Sequence, residues 1–211
     1  MRVKIRNAII VLVAYLLLAS SLSVHAALDP DESKYMDNYK SIMQVMQEEM
    51  TNAPKTGDPS LDFLYEMIPH HEGAISMSEN LLDYGTNLEM KNLAAAIVKE
   101  QLLAVKQMKA LLDKLKDDPQ VDKKKELEYL KGYEKAYKEM MDEMDEVKPT
   151  GNIDLDYLEA MIPHHEAGIA MASNILKYTN NKELQKIANQ IIANQSKQVK
   201  QMEKLEEGLE D

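Results

Sequence analysis

The sequence predicts an all-α fold: a four-helix bundle formed by two repeated helical hairpins, with one extra helix preceding each. Three observations carry that expectation. The stretch MIPHHEGAISM, Met67 to Met77, returns as MIPHHEAGIAM, Met161 to Met171, at an offset of 94 residues. At that offset the halves align without a gap from Tyr39/Tyr133 to Met108/Met202, the mark of an internal duplication in which each copy is one structural unit. Long segments also repeat apolar residues every three or four positions, and none reads as a strand.

The elements follow from where this periodicity is interrupted. The first half is expected to hold helices over about 33–50, 60–84 and 88–116, and the second half over about 122–146, 153–178 and 182–207. TNAPKTGDPS and VKPTG precede the motif helices, GTN and TNN follow them, and DDPQ separates the halves. In the first motif helix Leu61, Leu64, Ile68, His71, Ile75, Ser78 and Leu82 form one row, and Met67, His70, Ala74, Met77 and Leu81 the next. Together they make a broad core-facing stripe. A loop of about three residues forces the second and third helices of each half to run antiparallel as neighbours. Two such hairpins bury four apolar stripes in one core, so residues 27–211 are expected to form one domain of two repeats, about 33–116 and 122–208.

Arg2, Lys4 and Arg6, the apolar run Ala8 to Ala19 and the sequence Val24-His25-Ala26 read as a secretory signal peptide over 1–26. The apolar run is too short for a membrane span, which takes ~20 residues. The expected location is therefore periplasmic or extracellular, with no stable membrane insertion after cleavage. The net charge is −11, and loss of the three basic leader residues makes it more negative. Nucleic acid is excluded as a partner by that charge. There is no cysteine, so neither disulfides nor thiolate ligands are available. Fifteen methionines accompany one phenylalanine, Phe63, and no tryptophan. Once His25 leaves with the leader, every histidine lies in the repeated motif: His70, His71, His164 and His165.

Pro69 sits inside the apolar phase, which continues unbroken across it. A kinked helix is expected there, the alternative being a new helix that begins at the proline. Adjacent helical residues point about 100° apart, so His71 is central and His70 flanking. Met67 lies three residues before His70 and four before His71, within reach of a shared ion. Met77, seven residues beyond His70, belongs to another ligand set or to the core. Counting back from each turn puts Gln101 level with His71 and Gln195 level with His165, and each glutamine is expected to accept from its histidine. On the first helix Met43, Met46 and Met50 share a face, and Met140 and Met144 repeat the last two, giving outer thioethers, with Met43 about level with Met67. Thioether with imidazole suits Cu(I), and imidazole with oxygen suits Cu(II), so copper is the expected metal. Zinc ranks second because it leaves the methionines without a role. With an ordinary imidazole pKa of ~6.5, Cu(II) binding is expected to fall away near pH 5 while Cu(I) binding persists. The plainer reading remains open: histidines bonded inside a core, and methionines that only pack.

The segments MIPHHEGAISMS and MIPHHEAGIAMA, each followed by a later Gln and Met, resemble the family known as domain of unknown function 305 over about Tyr39 to Met202. The resemblance implies a ferritin-like bundle, commonly exported, with some members binding copper and linked to copper tolerance. The family motif falls on Met67, His70, His71 and Met77, and on Met161, His164, His165 and Met171. Its later glutamine and methionine fall on Gln101 and Met108, and on Gln195 and Met202. Three residues depart from it: Ala104 and Gln198 stand where a glutamate is common, and Gly168 where alanine is common.

The function expected is sequestration, storage or trafficking of copper, with a copper-donor or copper-acceptor protein as partner. A di-iron oxidase needs Glu-x-x-His motifs and paired glutamates. Met67 and Met161 stand where those glutamates would be, and Glu100 becomes Asn194, so no enzyme is expected. A metal-free helical interaction module is the other alternative.

Overall fold

The computed structural model describes residues 29–210. They form six helices: α1 (Pro30–Thr51), α2 (Pro59–Tyr84), α3 (Leu88–Leu115), α4 (Lys123–Asp145), α5 (Ile153–Ile175) and α6 (Lys182–Glu210). Among the described residues there is no strand, and no helix is long and apolar enough to cross a membrane. The expected signal peptide lies outside the described residues.

Helix starts are set by polar caps. Asp58 accepts from Ser60 N at 2.8 Å with Pro59 in the first turn, and Asn87 accepts from Glu89 N and Met90 N. α5 ends earlier than its expected limit of 178. Lys177 N bonds back to Asn174 O and Tyr178 N to Ile175 O, a three-residue step that tightens the chain out of the α-helix. Both α2 and α5 run continuously through Pro69 and Pro163, so neither proline begins a new helix.

The hairpins α2/α3 and α5/α6 close a ring through α2 against α5 and α3 against α6, while α1 packs on α2 and α4 on α5. One hydrophobic core takes side chains from all six helices. Each extra helix is tied to its motif helix in the same way: Asn80 Nδ2 donates to Tyr35 O at 2.9 Å, and its repeat-mate Asn174 donates to Tyr129 O at 2.8 Å.

The repeats are also clasped reciprocally. Gly57 N donates to Glu126 of α4 at 2.7 Å, and Gly151 N donates to Glu32 of α1 at 2.7 Å. Both glycines have φ near +90°, where a side chain is strained. Each half's entry loop is thus held by a carboxylate of the other half, and a hydrogen bond to a charged group contributes ~1.5–3 kcal/mol.

Candidate metal centre

The motif helices α2 and α5 bring the two histidine pairs together at the junction of the repeats. The rings of His70 and His164 lie 3.8 Å apart between centroids and are tilted by 32°. His70–His71 and His164–His165 stand at 5.8 and 5.9 Å. All four imidazoles are buried. His71 and His164 therefore belong to one cluster, which no spacing within either repeat shows.

Hydrogen bonding fixes part of the chemistry. His164 Nε2 lies 3.0 Å from His70 O, and a carbonyl only accepts, so the proton is on Nε2. His165 Nε2 donates to Gln198 Oε1 at 2.9 Å; the orientation of that amide is set by its Nε2, which donates to Glu100 at 3.0 Å. The Nδ1 atoms of His164 and His165 are thus bare lone pairs with no hydrogen-bond partner. Neither nitrogen of His70, nor Nδ1 of His71, makes a hydrogen bond of acceptable geometry.

Burial, which disfavours charge, holds all four imidazoles below their ordinary range. His71 is pushed down to about 3, by burial first and His165 second, and His165 to about 4 by burial against the Gln198 bond. His70 and His164 are depressed by burial and by the neighbouring imidazoles. The expectation of Cu(II) loss near pH 5 starts from an ordinary imidazole range, and burial lowers all four rings from it.

The glutamine expectation is corrected. Gln195 does not bond His165; both its amide atoms, and Oε1 of Gln101, have no hydrogen-bond partner although both residues are buried. Gln198, three residues further along α6, takes the histidine instead. Counting from the turn misplaces the facing residue by nearly one helical turn. In the first half the equivalent position is Ala104, which cannot make the bond.

Gly168 belongs to the same site. A Cβ there would collide with Gln195 Oε1 and would lie 3.0 Å from Cε1 of His70. The glycine, where the other repeat has Ala74, gives Gln195 room beside the imidazoles.

The methionines Met67, Met77, Met161, Met171, Met46, Met50, Met140, Met108 and Met202 are buried in the common core. Met46 rests on Gly73, whose added Cβ would meet Sδ at 2.5 Å. Met43 and Met144 line one groove between α1 and α4 together with Met36 and Met141. Sequence reasoning missed those last two, although Met36 is seven residues before Met43 and Met141 three before Met144. Among the described residues no three His, Asp or Glu side chains are arranged as a metal-holding group.

A second buried polar group joins α2 of the first repeat to α4 of the second, with no counterpart at the repeat-mate of Glu66. Glu66 accepts from Tyr129 Oη at 2.5 Å and pairs with Lys55, and burial raises its carboxyl to about 7. Its repeat-mate is Ala160.

A duplicated helical domain with a buried histidine pair from each copy is the class that this fold and site define. The chain belongs to the DUF305 family, a domain of unknown function, whose profile matches residues 27–206. Among solved structures it is similar to CopM in the Cu(II)-bound form, at 29% identity and a TM-score of 0.55, over 71% of this chain and 97% of that one. CopM in the Cu(I)-bound form gives 28% identity and a TM-score of 0.54, over 71% and 96%. A DUF305 fragment from Deinococcus radiodurans shares the fold at 22% identity, with a TM-score of 0.53 over 72% and 97%. A search of curated proteins finds no match.

Proposed function

We propose that this protein binds copper as cargo, holding Cu(I) and Cu(II) with its Met/His motifs for sequestration, storage or trafficking outside the cytoplasm, and so contributes to copper tolerance. The observation that carries the reading is the gathering of four buried imidazoles, with bare nitrogens, at the crossing of α2 and α5. A buried polar atom without a partner is costly, and a ligand that uses its lone pair removes that cost. Similarity to the copper-bound forms of CopM supports the same choice of metal. Imidazole serves both oxidation states, and thioethers in the adjoining core favour Cu(I). Donor and acceptor proteins for copper are the partners this role requires, and no catalytic step is assigned.

A specific observation favours a second reading, the metal-free helical module: His164 and His165 already serve as hydrogen-bond donors within the fold. Melting with and without copper separates the two. A ligand bound only by the folded state raises the melting temperature by mass action. A melting temperature unchanged at saturating Cu(I) and Cu(II) leaves the metal-free module standing.

A further inference from the structure

We infer that the cleft between α3 and α6 is the port through which a copper ion reaches the buried site, and that it opens onto His71 while Gln198 closes the way to His165. The inference rests on the copper reading and adds a route and an order of loading to it.

The cleft is lined by His71, Glu100, Gln101, Ala104, Gln195 and Gln198 among others, and has a volume of about 90 Å³. A water molecule's share of liquid volume is ~30 Å³, so an ion with a small part of its hydration shell fits. Glu100 is exposed at the mouth, where a carboxylate raises the local concentration of cations. Deeper in, Gln101 and Gln195 are only 3% and 2% exposed, and their Oε1 atoms have no hydrogen-bond partner. Neutral carbonyl oxygens of this kind replace water around a passing cation without trapping it as a carboxylate would.

The asymmetry comes from one pair of repeat-mates. At position 198 a glutamine spans the wall, accepting from His165 Nε2 and donating to Glu100. At position 104 alanine has nothing to offer, and His71 lines the cleft. Duplication alone makes the two half-sites equivalent. The Ala104/Gln198 difference leaves one open and one capped.

Each repeat supplies the natural substitution for the other, so the test exchanges them. Substoichiometric Cu(II) chloride is added to the full protein and paramagnetic broadening of the histidine ring signals is followed by NMR, with association rates from stopped flow. The expected result is that His71 broadens before His165 in the parent protein. Gln198→Ala should make the two respond together. Ala104→Gln should abolish the lead of His71 and slow association about tenfold, the factor expected when one buried hydrogen bond must first open. Glu100→Gln, at an exposed position, should slow association more at low salt than at high salt, and it tests the port even if a core variant fails to fold. Simultaneous broadening in the parent, or an order indifferent to the exchange, overturns the port. If no histidine responds to Cu(II), the copper reading falls and the port falls with it, a result distinct from response without order.

Discussion

His164 Nε2 donates to the backbone carbonyl of His70 at 3.0 Å, so the imidazole of one repeat is oriented by the main chain of the other. The bond crosses the duplication junction between two fully buried residues. It assigns a tautomer, and with it the nitrogen free to meet a metal. Long-range proton–nitrogen NMR should show His164 and His165 as Nε2–H tautomers in the metal-free protein; Nδ1–H signals for either would contradict the geometry.

Acid should destabilise the protein through these rings. In the unfolded chain an imidazole protonates near ~6.5, whereas in the folded protein His71 and His165 hold out to about 3 and about 4. The unfolded state therefore binds more protons below ~6.5, and each buried histidine removes ~1.4 kcal/mol of stability per pH unit in that window. Glu66, raised to about 7, and Asp62, raised by burial, act in the opposite sense. They stabilise the fold as pH falls through the raised values towards the ordinary carboxylate range. Four depressed histidines outweigh two strongly raised carboxylates, so the melting temperature should drop between pH 6.5 and pH 4.5. A flat profile over that range would show that the rings are solvated.

Gly168→Ala should cost more than an ordinary helix substitution. Alanine favours the helix by ~1 kcal/mol, but here its Cβ would collide with Gln195 and crowd His70. Overpacking of this kind costs ~1–3 kcal/mol. Urea denaturation of Gly168→Ala beside Gly168→Ala/Gln195→Ala checks the cause, since the double variant should recover part of the loss.

Replacing His70 and His71 together with alanine should lower the Cu(II) stoichiometry while unfolding stays cooperative, at a cost of several kcal/mol from the cavity, as for other large buried residues where ~2–5 is usual. Calorimetric titration reads the stoichiometry and thermal melting the cooperativity. Unchanged binding would make these imidazoles purely structural.

Exchange of Met46, Met50, Met140 and Met144 for leucine should weaken Cu(I) and spare Cu(II), because only the soft ion needs thioethers. Leucine nearly conserves volume, so the penalty should stay below ~1.5 kcal/mol per site. Met46 is the one to watch, since its sulfur sits on Gly73. Equal loss of both ions would indicate that the substitutions disturb packing rather than coordination.

By itself the sequence determined the helices, their pairing into hairpins and the repeated motif. Periodicity, caps and breakers are local signals, and the gapless duplication carried every one of them from Met67 and His70 to Met161 and His164. Element limits were legible to within a few residues, and the late end assigned to the fifth helix failed because Lys177 N and Tyr178 N bond only three residues back, to Asn174 O and Ile175 O. Only the tertiary structure decided what crosses between repeats. The stacking of His70 on His164, the clasp of Gly57 by Glu126 and the grouping of Met36, Met43, Met141 and Met144 all depend on how two hairpins dock. Docking is set by the summed shape of many side chains, and no spacing within one chain segment encodes it. The same reason explains the glutamines: the stagger of α6 against α5 brings Gln198, not Gln195, to His165, and in a helix a shift of three residues changes which side chain faces a given point.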